Sequence, residues 1–136
     1  DKNKRGCLMK VEVAIGEIFD KITILDIKLE RIDDEFRLHY IRTEKDILME
    51  ALNSEGVRIN SDLYSELKDI NTKIWDTEAG FRDKEALQEF DNEFVQFARL
   101  NAKYNDERFL IKKRINEHYG SPVREQKSYD KLYNTN

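Results

Sequence analysis

A run of apolar residues with heptad spacing, near the start of the chain, constrains the fold more than any other feature. Its members step by three or four positions and share one helical face: Ile15, Ile18, Ile22, Leu25, Leu29, Ile32 and Phe36. Charged residues fill most positions between them, so the run predicts one long amphipathic helix. Since a stripe this narrow is buried only by other helices, we expect nearly all of it to be covered, part of it by a second subunit.

The composition agrees with long helices and argues against a β-rich or mixed fold. Charged residues make up 38% of the 136 residues, and the chain has one proline and five glycines. A β-rich domain of this length needs more turn residues. We therefore predict a single all-α domain, an antiparallel bundle of three long helices and a shorter connecting helix.

Turn and capping residues divide the predicted bundle, residues 11–120, into four helical segments. Asn60 is a candidate N-cap, and Gly120 and Pro122 end the last helix. Residues 1–10 are predicted to be an N-terminal extension, with Met9 as a candidate native start, and residues 121–136 a polar tail. The predicted segments are Ala14 to Tyr40, Arg42 to Asn53 (the connector), a third that starts after Asn60 and includes Phe81, and Lys84 to Tyr119.

Charge and cysteine content exclude several classes of function. The net charge is −4, which disfavours nucleic-acid binding, and no run of 18 apolar residues predicts a membrane span. The single cysteine, Cys7, cannot form an internal disulfide, so a cytoplasmic location is expected. The two histidines are far apart and no catalytic motif is present, so no catalytic residue, metal or cofactor is predicted.

Polar residues interrupt the apolar stripe of the fourth predicted helix. Asn101, Asn105, Arg108 and Lys112 step by four, three and four residues and therefore share one face. A buried arginine without a partner costs several kcal/mol, so Arg108 must meet a carboxylate or a bound anion.

The third predicted helix carries a complementary face. Asn71, Trp75, Glu78 and Arg82 have the same spacing, and we expect Glu78 to be the partner of Arg108. One interpretation is a network of ion pairs that ties the helices together. The other is a polar pocket between helices that binds an anionic small molecule.

Four strings in this sequence, taken together, resemble a family of small uncharacterised helical proteins from bacteria and marine phages. They are IGEIFDKITILDIKLERI at 15–32, IWDTEAGFRDKE at 74–85, NDERFLIKKRIN at 105–116 and GSPVREQKSY at 120–129. Bacterial members are associated with surface-polysaccharide gene neighbourhoods and glycosyltransferases. The resemblance implies no activity, because the family's function is unknown.

The resemblance does imply which residues form a site. This chain departs from the family pattern at Ala14, where a helix-capping serine is usual, and at Gln126, where a glutamate is usual. The family also has a Lys-Ser-Tyr end, here Lys127 to Tyr129. Together with the polar faces, the resemblance predicts these ligand-binding residues: Lys21, Lys28, Trp75, Glu78, Arg82, Asn105, Arg108, Lys112 and Asn116.

Two functions follow from the sequence. The first is a non-enzymatic binding or accessory module, serving envelope-polysaccharide or phage–host processes and expected to form a homodimer. The second is an enzyme that acts on an anionic metabolite in an interhelical pocket lined by Lys, Arg and Glu, without a metal. They are discriminated by whether the basic side chains face one cavity or pair off with carboxylates.

Overall fold

Four helices form all the regular structure between residues 6 and 130, the part of the chain that this computed structural model describes. They are α1 (Ile15–Arg31), α2 (Glu35–Ser54), α3 (Ser61–Ala86) and α4 (Asn92–His118), and this part of the chain contains no strand. The all-α prediction is confirmed.

The heptad stripe at the start of the chain lies on two helices rather than one. α1 ends at Arg31, and the Asp34 side chain accepts a hydrogen bond from the Phe36 amide (2.9 Å), which caps the start of α2. The predicted continuous helix to Tyr40 is therefore wrong. α2 is also longer than the connector predicted from Arg42, because it starts at this cap.

The remaining caps define α3 and α4. The Asn60 side chain accepts from the Leu63 amide (3.0 Å), which confirms it as the α3 cap. α4 does not start at Lys84 as predicted. The chain first breaks at Gln88, whose φ is +55°, and α4 begins after Asp91, whose side chain accepts from the Phe94 amide (3.0 Å).

α1 lies at the centre of the bundle and packs against each of the other three helices. α3 and α4 form an antiparallel hairpin, with Glu66 beside Arg114 at one end and Phe81 beside Phe94 at the other. α1 also runs antiparallel to α4. The main core cluster combines residues of all four helices: Phe19, Ile22, Leu52, Leu67, Ile70 and Ile115.

The central position of α1 corrects the predicted core. Of the heptad stripe only Ile22 and Leu25 are buried, and Phe36 is 72% exposed. Phe19 and Ile27, which lie outside the stripe, are fully buried instead. A helix with neighbours on three sides buries more of its circumference than one heptad stripe covers.

The far end of the α3–α4 hairpin extends beyond the core. We call residues 78–105 the arm. None of them is buried, although they include four of the seven phenylalanines. Of the half-buried apolar residues of the arm, Tyr104 packs against the main core cluster, whereas four others belong to neither cluster: Phe81, Phe94, Phe97 and Leu100. These four side chains therefore lie outside both core clusters.

Candidate functional site

A buried polar network joins α1, α3 and α4. Asp20 is 4% exposed, and its carboxylate accepts hydrogen bonds from Asn71 Nδ2 (2.9 Å) and Arg108 Nε (2.9 Å). Arg108 Nη2 donates to the second carboxylate oxygen, so the pair is bidentate. Asn71 Nδ2 also donates to Thr23 Oγ1 (2.8 Å). Every buried side-chain polar atom in the described part of the chain has a hydrogen-bond partner, so this network is complete.

Arg108 meets a carboxylate, as predicted, but that carboxylate belongs to Asp20 and not to Glu78. The hydrogen bonds that Arg108 donates to Asp20 raise the pKa of Arg108 more than burial lowers it, so the guanidinium stays charged. Glu78 instead accepts from Arg82 Nε (2.9 Å), one turn away on α3, in a pair that is largely exposed. The predicted pairing of Arg108 with Glu78 is wrong because α1 lies close enough to offer the nearer carboxylate.

A cleft of about 380 Å³ opens beside this network, between α1, α3 and α4. Its walls are mostly apolar, and the three charged side chains among its lining residues are Glu78, Arg82 and Arg108. The indole of Trp75, the only tryptophan, is part of the wall. The residues that line the cleft are Ile24, Ile27, Asn71, Ile74, Trp75, Glu78, Ala79, Arg82 and Arg108.

Lys112 is a buried cation of α4, one turn from the half-buried Arg108. It is 6% exposed, and its Nζ lies 2.8 Å from Glu17 Oε1 and 3.2 Å from Glu125 Oε1. Burial alone would lower the pKa of Lys112, but the hydrogen bond to Glu17 and the surrounding carboxylates outweigh burial and raise it. Lys112 is therefore a charged and fully paired side chain.

The segment after α4 packs back onto that helix through the same polar side. Glu125 reaches Lys112, and Lys127 Nζ lies 5.5 Å from the centre of the Phe109 ring. Tyr129 OH donates to Asp106 Oδ1 (3.2 Å), and desolvation together with this bond raises the pKa of Tyr129. These contacts cover the outer side of Lys112 and leave only small cavities of about 110 and 120 Å³ there.

Asn116 caps the N-terminus of α1 from the other end of the chain. Ala14, at the N-cap position of α1, has no side chain that can accept a hydrogen bond. Asn116 Oδ1 accepts one from the Gly16 amide instead (2.7 Å), and both residues are buried. The close approach requires glycine, since a Cβ at Gly16 would lie 2.9 Å from both Asn116 Oδ1 and the Lys112 carbonyl oxygen. Asn116 thus supplies the cap that Ala14 cannot provide.

The predicted site residues fall into three places. Lys21 is exposed and pairs with Glu44 of α2 (3.2 Å), away from the cleft, and Lys28 lines none of the cavities described here. The cleft contains four of the predicted residues: Trp75, Glu78, Arg82 and Arg108. The polar side of α4 beneath the C-terminal segment contains Asn105, Lys112 and Asn116, with Arg108 between the two places.

The sequence prediction missed three residues that hold the site together. Asp20 and Glu125 supply carboxylates to Arg108 and Lys112, and Ile27 forms part of the cleft wall. Asp20 lies between the stripe residues Ile18 and Ile22, where a heptad pattern expects a solvated residue. Asp20 lies three residues after Glu17, and this spacing is the one local signal that places the two carboxylates on the same side of α1.

No metal or membrane-spanning site is present in the described residues. No group of three or more His, Cys, Asp or Glu side chains there could hold a metal ion. None of the four helices has the length and hydropathy needed to cross a lipid bilayer.

Replacing Lys112 tests whether its ion pairs with Glu17 and Glu125 stabilise the fold. Replacing Lys112 with methionine keeps the side-chain volume but leaves Glu17 and Glu125 without their cation. Both carboxylates are partly exposed and can be rehydrated, so we expect the free energy of unfolding to fall by about 1–3 kcal/mol, less than for a fully buried pair. Urea denaturation measures this loss.

The neighbouring exposed residue provides the matched control for Lys112. Lys113→Met, one position along α4, should change the free energy of unfolding by less than about 0.5 kcal/mol. A Lys112→Met variant as stable as the parent, or more stable, would show that Lys112 is maintained for binding an anion and not for the fold.

Comparison with known proteins places the chain in one family. Residues 9–136 match the model of a family of unknown function (DUF6165). No curated protein and no solved structure matches the chain.

Proposed function

Because the chain belongs to this family of unknown function, we propose a role from the site alone: a non-enzymatic binding module whose ligand occupies the cleft between α1, α3 and α4. The observation that carries the proposal is an apolar cleft with a tryptophan in its wall and a half-buried arginine, Arg108, at its end. A volume of about 380 Å³ lies within the usual range for small-molecule sites.

The wall of the cleft favours a ligand with an apolar body. Ile24 and Ile27 of α1 face Ile74 and Trp75 of α3 across it, and Ala79 leaves space beside them. An indole gives a large flat surface with one polar N–H, which suits an aromatic ring or the apolar face of a sugar ring.

The charged end of the cleft favours an anionic group on that ligand. Arg108 donates to Asp20 through Nε and Nη2, so Nη1 has no hydrogen-bond partner among the described residues. Arg108 is 27% exposed at its side chain and lines the cleft, so Nη1 is available to a ligand. Arg82 offers a second cation on the rim, held by Glu78.

The pairing of these cations supports binding over catalysis. Arg82 and Arg108 each already hold a carboxylate, so each acts as a positioned hydrogen-bond donor more readily than as a group that exchanges protons. The resemblance of the four sequence strings supports a role in envelope-polysaccharide or phage–host processes. The lone Cys7 is consistent with the proposed cytoplasmic location.

Trp75 provides a direct test, because any change in tryptophan fluorescence comes from the cleft. We would titrate the protein with three naphthalene derivatives that differ in charge: 2-naphthoate, 2-naphthalenemethanol and 2-naphthylmethylammonium. The proposal predicts saturable quenching of Trp75, tightest for the anion by about tenfold over the neutral alcohol, as expected for one charge-assisted hydrogen bond of about 1.5 kcal/mol.

Two variants link the binding to the cleft. Ala79→Phe fills the exposed side of the cleft and should abolish quenching, whereas Arg82→Gln should weaken binding of the anion alone. Arg114→Gln, in an exposed pair with Glu66 outside the cleft, is the matched control and should bind as the parent does. Equal affinity for all three probes would overturn the anionic part of the proposal, and the absence of quenching would overturn all of it.

A further inference from the structure

We propose that the arm, residues 78–105, is the surface through which two copies of this chain associate. The tip of each arm, residues 83–93, lies against the stem of the other arm, which is formed by residues 78–82 and 94–105. The proposal does not depend on a ligand in the cleft, although Glu78, Ala79 and Arg82 of the arm also line the cleft. It starts from the absence of any buried residue in the arm.

The arm has apolar side chains that two helices cannot bury. Phe81 stacks on Phe94 with ring centres 4.7 Å apart, and Phe90 contacts Phe94 edge-on, yet neither α1 nor α2 supplies a further layer. At the tip, Leu87 and Phe90 remain more than half exposed. A pair of helices buries only the stripe between them, whereas four helices enclose a common core.

A second hairpin of the same kind would complete that core. Two arms packed side by side make a four-helix bundle in which the phenylalanines of both copies face inward. Two copies of one surface can do this with a two-fold axis, the commonest symmetry of soluble homo-oligomers.

The charges of the arm favour a second copy in antiparallel orientation over other partners. The tip, residues 83–93, carries five carboxylates and one lysine, a net charge of −4. The stem carries Arg99 and Lys103, and neither forms an ion pair with any described residue. Two arms in opposite directions place each acidic tip beside the basic stem of its partner. The acidic tip also opposes docking on an anionic membrane surface.

The size of the arm sets the expected strength of association. Its helical parts, residues 78–86 and 92–105, are about 13 and 21 Å long and together about 20 Å wide, which gives a footprint of about 350 Å² on each copy. The total of about 700 Å² is below the roughly 1,200–2,000 Å² of stable specific interfaces, so we expect a weak dimer that dissociates on dilution. Sedimentation velocity from low micromolar to submillimolar concentration should therefore show a monomer–dimer equilibrium.

Two double variants locate the interface. Leu87→Ser with Phe90→Ser removes exposed apolar side chains from the arm and should shift the dissociation constant upward by at least tenfold. Phe36→Ser with Ile47→Ser makes the same kind of change on the exposed face of α2 and should leave the equilibrium unchanged. A parent that stays monomeric, or a dimer lost only in the α2 variant, overturns the proposal.

A charge exchange tests the antiparallel orientation with a readout that a misfolded variant cannot imitate. Arg99→Glu with Lys103→Glu should weaken the dimer, because both tips then oppose acidic stems. Adding Asp83→Lys and Glu85→Lys in the same chain should restore association. Circular dichroism confirms that each variant is helical, and failure of the second pair to restore the dimer overturns the tip-to-stem arrangement.

Discussion

Replacing Asp20 with alanine should lower the free energy of unfolding by about 3–5 kcal/mol, one of the two largest losses that we expect from a single substitution in this chain. The change leaves the Arg108 guanidinium without its bidentate carboxylate and removes an acceptor from Asn71. Breaking a buried pair on one side leaves a desolvated charge, which costs more than the pair itself contributes. Urea denaturation followed by circular dichroism measures the loss.

An exposed ion pair of the same chemistry provides the control for Asp20. Asp76 accepts from Arg31 at 2.9 Å, but both side chains are largely solvated. Asp76→Ala should therefore cost less than about 1 kcal/mol. Equal losses for the two variants would mean that water reaches Arg108 freely in the folded protein. The buried network would then stabilise the fold no more than an exposed ion pair does.

Leu25→Ala should lower the free energy of unfolding by about 2–5 kcal/mol, the usual cost of a large-to-small change in a packed core. Leu25 is buried in the cluster that joins α1 to α2 through Leu38 and Ile41. Because the closest backbone contacts of α2 are with α1, a cavity at this position weakens the main attachment of α2.

Leu29, one turn further along α1, lies at the rim of the same contact with α2, and comparing it with Leu25 distinguishes a rim position from a core position. Leu29 shares the heptad stripe with Leu25, but Leu29 is only half-buried. We expect Leu29→Ala to cost roughly half as much as Leu25→Ala, since less apolar area returns to water. Thermal melts of the two variants that coincide with the melt of the parent would contradict this description of the core.

The sequence predicted the helices well wherever the signal is local. The all-α class and the Asn60 cap follow from patterns among near neighbours in sequence, and both were confirmed. The break after Arg31 was missed because no glycine or proline marks it. Asp34 ends the pattern by capping the next helix, and an aspartate followed by Glu35 in a predicted first turn is the local signal for that.

The candidate site, like the helices, could be predicted only where spacing within one helix determines which residues lie together. Trp75, Glu78 and Arg82 lie together on the cleft because helical spacing alone places them on one face of α3. The partner of Arg108 depends on how α1 crosses α4, and no pattern within one helix contains that information. For this reason Asp20 was missed, and Lys21, correctly placed on α1, proved to face α2 instead of the cleft.

The hydrogen bond from the Gly16 amide to Asn116 makes the first helix depend on the last. The two residues are 100 positions apart in sequence. At about 5–20 residues per second, a ribosome releases Asn116 roughly 5–20 seconds after Gly16. Until then the first turn of α1 has no side chain to accept its amide, and an isolated helix of 17 residues is marginal in water. The first turn of α1 therefore becomes natively capped only after Asn116 of α4 has been synthesised.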